Sequence, residues 1–288
     1  MINQKDILKK IDSLPTLPTA VVRLSKIVND PNSSISDFER AITPDVALTA
    51  NLLKICNSAL YRRAREINSV KHAIAMLGIK HVFEVAMTAA FSKVIPPVLV
   101  GYNTNSKRFW QHNLAVAIIA EEFAKKQEIQ EVEGVFTAGL LHDIGKLVIS
   151  TFLDEHNMEL MEMLPKGENT FVKMEDMLLG TNHTEVGELI ADKWGLPETI
   201  IMGARWHHDP DSCDDEKYQV LVDLIHLSNV LARSLGFGND VGELSRAVKK
   251  TSIKRLGLNQ QIIEEVASEA ATKVQQMQGF IEIENGGN

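Results

Sequence analysis

Cysteine is nearly absent: the chain has only Cys56 and Cys213. Two thiols cannot build a disulfide framework or a four-thiolate zinc site. Positive charge is not in excess, since 30 Lys and Arg stand against 38 Asp and Glu, for a formal charge of −8. This balance argues against a protein that coats nucleic acid, whose affinity would come from neutralising phosphates. Long apolar runs are missing too. Stretches such as Leu114–Ala120 fall far short of the roughly 20 residues of a membrane span. Met1–Lys10 carries four charges and no apolar core of a secretory signal. These absences predict a cytoplasmic protein in a reducing compartment. There is also no Gly-rich phosphate loop, no Gly-x-Ser-x-Gly elbow and no Cys-x-x-Cys pair, so nucleotide-fold, serine-hydrolase and thioredoxin chemistry have no support.

What is present is an ordinary globular composition of 288 residues, 44% hydrophobic and 24% charged. The apolar spacing is helical nearly everywhere, and no period-two run appears, so the fold class is all-α with no sheet. Ser36-Asp37-Phe38-Glu39 reads as a capping box. Thr43-Pro44-Asp45 reads as a cap, a proline at the first helical position and an acid in the first turn. Helices are expected from Asp45 to about Asn57, from Ser69 to Gly78 and over Ile79–Ile95, with Pro96-Pro97 as the stop. Val98–Ser106 reads as a loop. Further helices are expected over 107–127, 132–149, 154–163, 171–179, 183–194, 197–207, 217–235 and 240–279. The division that follows is an N-terminal helical lobe over residues 1–100, a second lobe over 101–238, and C-terminal helices and tail over 239–288.

Nine histidines are the unusual feature. The sharpest local pattern is Leu140-Leu141-His142-Asp143-Ile144-Gly145-Lys146. A His-Asp doublet in an apolar helix is costly unless a salt bridge or a metal satisfies it. Neutral imidazole and carboxylate are both ligands for first-row metals. Lys146 lies one helical turn beyond His142 and shares its face; it fits either a site lysine or an exposed helix lysine. His112, His183 and the pair His207-His208 offer imidazole from three further segments. One buried histidine alone is more often a hydrogen-bonded core residue than a ligand; the joint occurrence is what points to a metal.

The ordered set His112, His142-Asp143, His183 and His207-His208 resembles the ligand order of the HD superfamily of metal-dependent phosphohydrolases. The chain is more specifically similar to the HDOD family, the HD-related output domains. The resemblance rests on Leu14-Pro15-Thr16-Leu17-Pro18, Thr43-Pro44-Asp45-Val46-Ala47-Leu48, Asn57-Ser58-Ala59-Leu60-Tyr61 and Ala73-Ile74-Ala75-Met76-Leu77-Gly78. It continues through Gly139–Lys146, His183-Thr184-Glu185-Val186-Gly187 and Trp194-Gly195-Leu196-Pro197, and covers roughly residues 10–235. It implies two helical lobes, a bacterial role in signalling, and action as an output module. It implies metal ligands at His112, His142, Asp143, His183, His207 and His208, with Asp143 and Lys146 as the groups for any catalysis.

The chain departs from the HD pattern at the last acidic ligand, where Asn229 stands. A half-site of His112, His142, Asp143 and Asn229 therefore lacks one anionic ligand. The other half-site, Asp143 with His183, His207 and His208, is intact. His226 is placed one turn before Asn229 and either substitutes as a ligand or only hydrogen-bonds, while Asp223 faces elsewhere. The Gly-Tyr-Pro motif of the cyclic-di-GMP-hydrolysing branch is absent after His208.

The leading expectation is a regulatory module that binds a signalling protein or a small ligand such as a nucleotide, its pocket holding one or two ions of Fe, Mn, Zn or Ni. The alternative is a metal-dependent phosphohydrolase acting on a nucleotide or cyclic dinucleotide, and enzymatic activity is left open. A third reading is a scaffold in which the His-Asp pair is only a buried hydrogen bond. No direct nucleic-acid binding and no membrane contact are expected. With no receiver or cyclase domain in the sequence, the input is expected from another chain. Arg62-Arg63-Ala64-Arg65 and the methionines Met158, Met161 and Met163 read as a solvated loop and as packing filler.

Overall fold

A computed structural model describes residues 4–14, 17, 19–28, 30, 32–58, 66–129, 132, 134–156, 170–238 and 248–277. The chain is all-α and consists of two helical lobes. The first is built from α1 (Gln4–Ser13), α2 (Thr19–Val28), α3 (Ile35–Ile42), α4 (Val46–Cys56), α5 (Val70–Leu77) and α6 (Ile79–Val94). Here α2 packs on α3 and α6, and α4 packs on α5 and α6. Val21, Leu24, Phe38, Leu48, Leu52 and Phe91 fill the space between them.

The second lobe is organised around α7 (Ser106–Lys126). Apolar side chains surround this helix on most of its circumference, and such a helix is stable only when neighbours cover it all round. The neighbours are α8 (Val135–Leu141), α13 (Glu216–Ser234) and α15 (Gln260–Met277). Completing the lobe are α9 (Lys146–Leu153), α10 (Phe171–Leu179), α11 (His183–Lys193), α12 (Glu198–Trp206) and α14 (Lys250–Arg255). A buried carboxylate fastens α14 to α13: Asp223 accepts from Ser252 Oγ at 2.5 Å and from Arg255 Nε and Nη2 at 2.6 and 2.7 Å. The α6–α8 contact joins the two lobes.

Several local expectations are corrected. A minimal sheet exists: β1 (Val98–Leu99) pairs antiparallel with β2 (Thr104–Asn105), Val98 facing Asn105 and Leu99 facing Thr104. Two residues per strand are too few to show an alternating pattern. The intervening turn carries Tyr102 into the interior, and the Gly101 N–H donates to Ser150 Oγ at 3.2 Å. The first capping box begins two residues earlier than expected. Ser34 Oγ accepts from the Asp37 N–H at 3.3 Å, and the Asp37 carboxylate accepts from the Ser34 N–H at 2.9 Å. Likewise Asp45 is itself the cap of α4, accepting from the Leu48 N–H at 2.9 Å.

The expected helix over 132–149 is interrupted at residues 142–145. There the Ile144 and Lys146 N–H groups donate to Leu141 O and Asp143 O, a tighter three-residue spacing. The stretch Val135–His156 is long and apolar enough by mean hydropathy to cross a membrane, contrary to the sequence reading, but its most apolar 18-residue window is 89% buried inside the protein. Of the helix expected over 154–163, Asp154–His156 forms a single 3₁₀ turn. The remainder lies outside the described residues, as do Arg62-Arg63-Ala64-Arg65, the three methionines 158, 161 and 163, and the C-terminal tail.

Candidate metal centre

The turn between α8 and α9 packs directly on α11. Gly145 lies so close to α11 that an added Cβ would sit 1.9 Å from the His183 carbonyl oxygen and 2.6 Å from the Gly187 nitrogen. Only glycine allows the two backbones to meet, and their contact sets His183 beside the His142-Asp143 turn. Gly145→Ala is expected to push α11 away and to lower stability by about 1–3 kcal/mol or more, the range for overpacking against rigid groups. Thermal unfolding of the purified variant measures this. An unchanged midpoint would mean that α11 yields freely.

Asp143 is completely buried and its two oxygens face different partners. Oδ1 lies 3.4 Å from His183 Nε2 and 3.4 Å from His207 Nε2. Oδ2 lies 3.4 Å from His142 Nε2, 3.7 Å from His112 Nε2 and 2.9 Å from Lys146 Nζ. Donor atoms of Asp143, His183, His207 and His208 thus form one group within 4.8 Å of one another, and those of Asp143, His112 and His142 a second.

The far side of each ring sets its tautomer. His112 Nδ1 is 2.8 Å from Phe237 O, His142 Nδ1 is 2.7 Å from Gly139 O, and His207 Nδ1 is 2.9 Å from Ala204 O. A carbonyl only accepts, so each Nδ1 carries the proton and each Nε2 turns a lone pair inward. All three Nε2 atoms are buried without a hydrogen-bond partner. Burial pushes His112 and His207 well below the usual imidazole range, so both are neutral. Burial alone would raise Asp143, but its surroundings, with the Lys146 ammonium against Oδ2, outweigh it and hold the carboxyl well below the usual range.

Inward-turned neutral imidazoles around a carboxylate, each braced from behind, are what a first-row divalent metal requires. The donor set fits such an ion. The Oδ1 side supplies three imidazoles and an anion. The Oδ2 side supplies two imidazoles and already holds the Lys146 ammonium.

His183 is braced differently. Glu175 on α10 receives the His183 N–H at 2.7 Å, His183 Nδ1 at 2.7 Å and the Tyr102 O–H at 2.5 Å. Burial pushes the Glu175 carboxyl up to about 7. Asn182 caps α11, accepting from the Thr184 and Glu185 N–H groups at 3.0 and 3.1 Å. His208 is half-buried, with Nε2 2.9 Å from His183 Nε2.

The five expected histidine ligands therefore meet around the sixth, the Asp143 carboxylate. Lys146 is 1% exposed, which corrects the reading of an exposed helix lysine. It also lies 5.1 Å from the Tyr102 ring centroid. His226 hydrogen-bonds through both nitrogens, Nδ1 to His207 O at 2.9 Å and Nε2 to the Lys249 N–H at 3.2 Å. It therefore has no lone pair left for a metal. Asn229 is buried with its Oδ1 unpaired, and Asp223 is committed to Arg255. Glu175, Tyr102 and the Phe237 carbonyl escaped the sequence reading. Glu175 is eight residues from His183 on another helix, and Tyr102 sits in a segment that reads as a loop. The one available signal was the acidic pair Glu175-Asp176 between the apolar residues Met174 and Met177.

The helical lobes and the His-Asp turn with its ring of imidazoles place the chain among HD-type proteins. Residues 14–210 match the family model of the HDOD domain, and the chain belongs to that family. The solved structure of an HDOD domain protein of unknown function from Geobacter sulfurreducens is similar to it, with TM-score 0.79, 26% identity and 96% of each chain covered. An uncharacterised protein of Treponema pallidum (strain Nichols) is 24% identical over 227 residues, 78% of this chain and 43% of that relative. The chain thus spans less than half the length of this relative.

Proposed function

We propose that this protein is a regulatory output module that acts by binding, and that its HD pocket holds a single divalent metal. The metal lies on the Oδ1 side of Asp143, with His183, His207 and His208. The observation that carries this is Lys146 Nζ, 2.9 Å from Asp143 Oδ2. Its ammonium supplies positive charge where a second ion would need an anionic ligand. Asn229 adds no charge to that side, and asparagine is a weaker ligand than carboxylate for transition metals. When bound, the metal would act as a Lewis acid or hold the pocket rigid. The chain's own residues orient its ligands and exclude water. Fe, Mn, Zn and Ni all suit this donor set.

Elemental mass spectrometry of tag-free protein, purified without chelator and also anaerobically, tests this. Roughly one metal per chain is expected from one intact ligand set. Two would overturn the single-metal reading, and none in any preparation would overturn the metal reading. The second reading, a metal-dependent phosphohydrolase, is favoured by the intact ligand set on the Oδ1 side. Metal-dependent turnover of bis(p-nitrophenyl) phosphate, lost on chelation, would establish it.

A further inference from the structure

A second cluster of metal-ligating side chains spans the two lobes and shares no residue with the centre around Asp143. His81 and Glu84 stand about one turn apart on α6 and share a face of that helix. Glu121 meets them from α7, the central helix of the other lobe. One donor atom from each of the three lies within 4.8 Å of the other two. His81 is exposed, and Glu84 and Glu121 are half-buried. Both glutamates also line an open recess of about 420 Å³ that admits water to the cluster.

The cations nearby are already engaged. Lys125 Nζ lies 3.2 Å from Glu121 and 3.3 Å from Glu122, so one ammonium serves two carboxylates of its own helix. Lys80, next to His81, has its own partner. Glu84 stands apart from this pairing. Among the described residues, no hydrogen bond or ion pair reaches its carboxylate. Nor does one reach the His81 ring. Two facing carboxylates with no cation between them repel each other. Burial and Glu121 accordingly push the Glu84 carboxyl up to about 8, and Lys125 and Lys80 offset this only in part. A divalent cation held between the carboxylates would cancel the repulsion and give the His81 ring a partner.

We propose that His81, Glu84 and Glu121 bind a divalent transition metal, zinc being the probe, which ties α6 to α7 across the two lobes. Imidazole nitrogen and carboxylate oxygen are both zinc donors, held at roughly 2.0–2.2 Å from the ion and so about 3.5 Å from each other. None of the three side chains is fully buried, and rotation about their terminal bonds closes the remaining gap. The fourth position falls to water from the recess. The imidazole favours a transition metal over magnesium, which prefers oxygen ligands. Exposure of His81 and competition from Lys125 make the ion exchangeable. Desalting removes it, so the metal content of purified protein reports the Asp143 centre alone. The proposal stands independently of whether that centre is loaded.

Calorimetric titration of the full chain with zinc tests it. One exchangeable equivalent is expected beyond whatever the Asp143 centre takes up. His81→Ala and Glu121→Gln are each expected to weaken that event about tenfold or more and to leave uptake by the Asp143 centre unchanged. Magnesium in tenfold excess over zinc is expected not to displace it. At a hundredfold excess of zinc over its dissociation constant, the unfolding midpoint of the natural chain is expected to rise about 5 °C more than that of His81→Ala. Circular dichroism checks that each variant is folded. Absence of an exchangeable equivalent, unchanged affinity in either variant, or displacement by magnesium would each overturn the proposal. The last result would reduce the cluster to an acidic surface.

Discussion

Asp143→Asn is expected to abolish metal binding and to destabilise the protein at the same time. Both effects follow from the position of one carboxylate. Its Oδ1 faces His183 and His207, and its Oδ2 faces His112 and His142, so no half-site is complete without it. An amide keeps the shape but withdraws the only negative charge among these ligands. The same change leaves the Lys146 ammonium, 1% exposed, without its carboxylate. Breaking one partner of a buried pair costs about 3–5 kcal/mol, whereas replacing both partners with apolar groups is often neutral. Adding Lys146→Met to Asp143→Asn removes the uncompensated ammonium but keeps a buried amide, so it should recover part of the stability and none of the metal. Elemental analysis and thermal unfolding of the single and double variants separate the two effects. Metal retained in Asp143→Asn would show that the carboxylate is not a ligand.

Glu175→Leu is expected to have the second largest effect, although Glu175 is not a candidate ligand. Its carboxyl receives two donors from His183 and one from Tyr102. Leucine fills a similar space and accepts nothing, so these buried donors lose their acceptor at roughly 1–3 kcal/mol each. The His183 ring also loses the contact that fixes its tautomer and orientation. Mutation of such supporting groups typically lowers metal affinity by about 10–100-fold. Chelator competition on the intact chain measures this as a shift of the half-extraction point to lower chelator concentration. Tyr102→Phe removes one of the three bonds and should shift it far less. A fall in unfolding temperature with no change in extraction would restrict Glu175 to a structural role.

The centre shows where sequence reasoning reaches and where it stops. His112, His142, Asp143, His183, His207 and His208 were legible because imidazole and carboxylate in apolar helices are rare and costly. Their order along the chain also matches a family pattern. Lys146 was ambiguous because helical spacing places a side chain on a face but does not say what covers that face. The caps at Ser34 and Asp45 each shifted by two residues, from Ser36 and Thr43, because Ser, Asp and Thr cluster at these helix starts and any of them can accept the first N–H. The two-residue strands were invisible because a period of two needs several repeats to register.

The amino-acid sequence by itself determined the all-α class, most of the helix stops and the chemical character of the centre. Those properties depend on local periodicity, on proline and glycine, and on residue type. Only the tertiary structure decided that Asp143 divides its two oxygens between opposing groups of imidazoles. It also decided that Lys146 is buried against one of those oxygens, and that Glu175 and Tyr102 hold His183 from behind. Each of these is a contact between segments far apart in the chain. Their distances depend on how α8, α10, α11 and α12 pack, and above all on the absence of a side chain at Gly145.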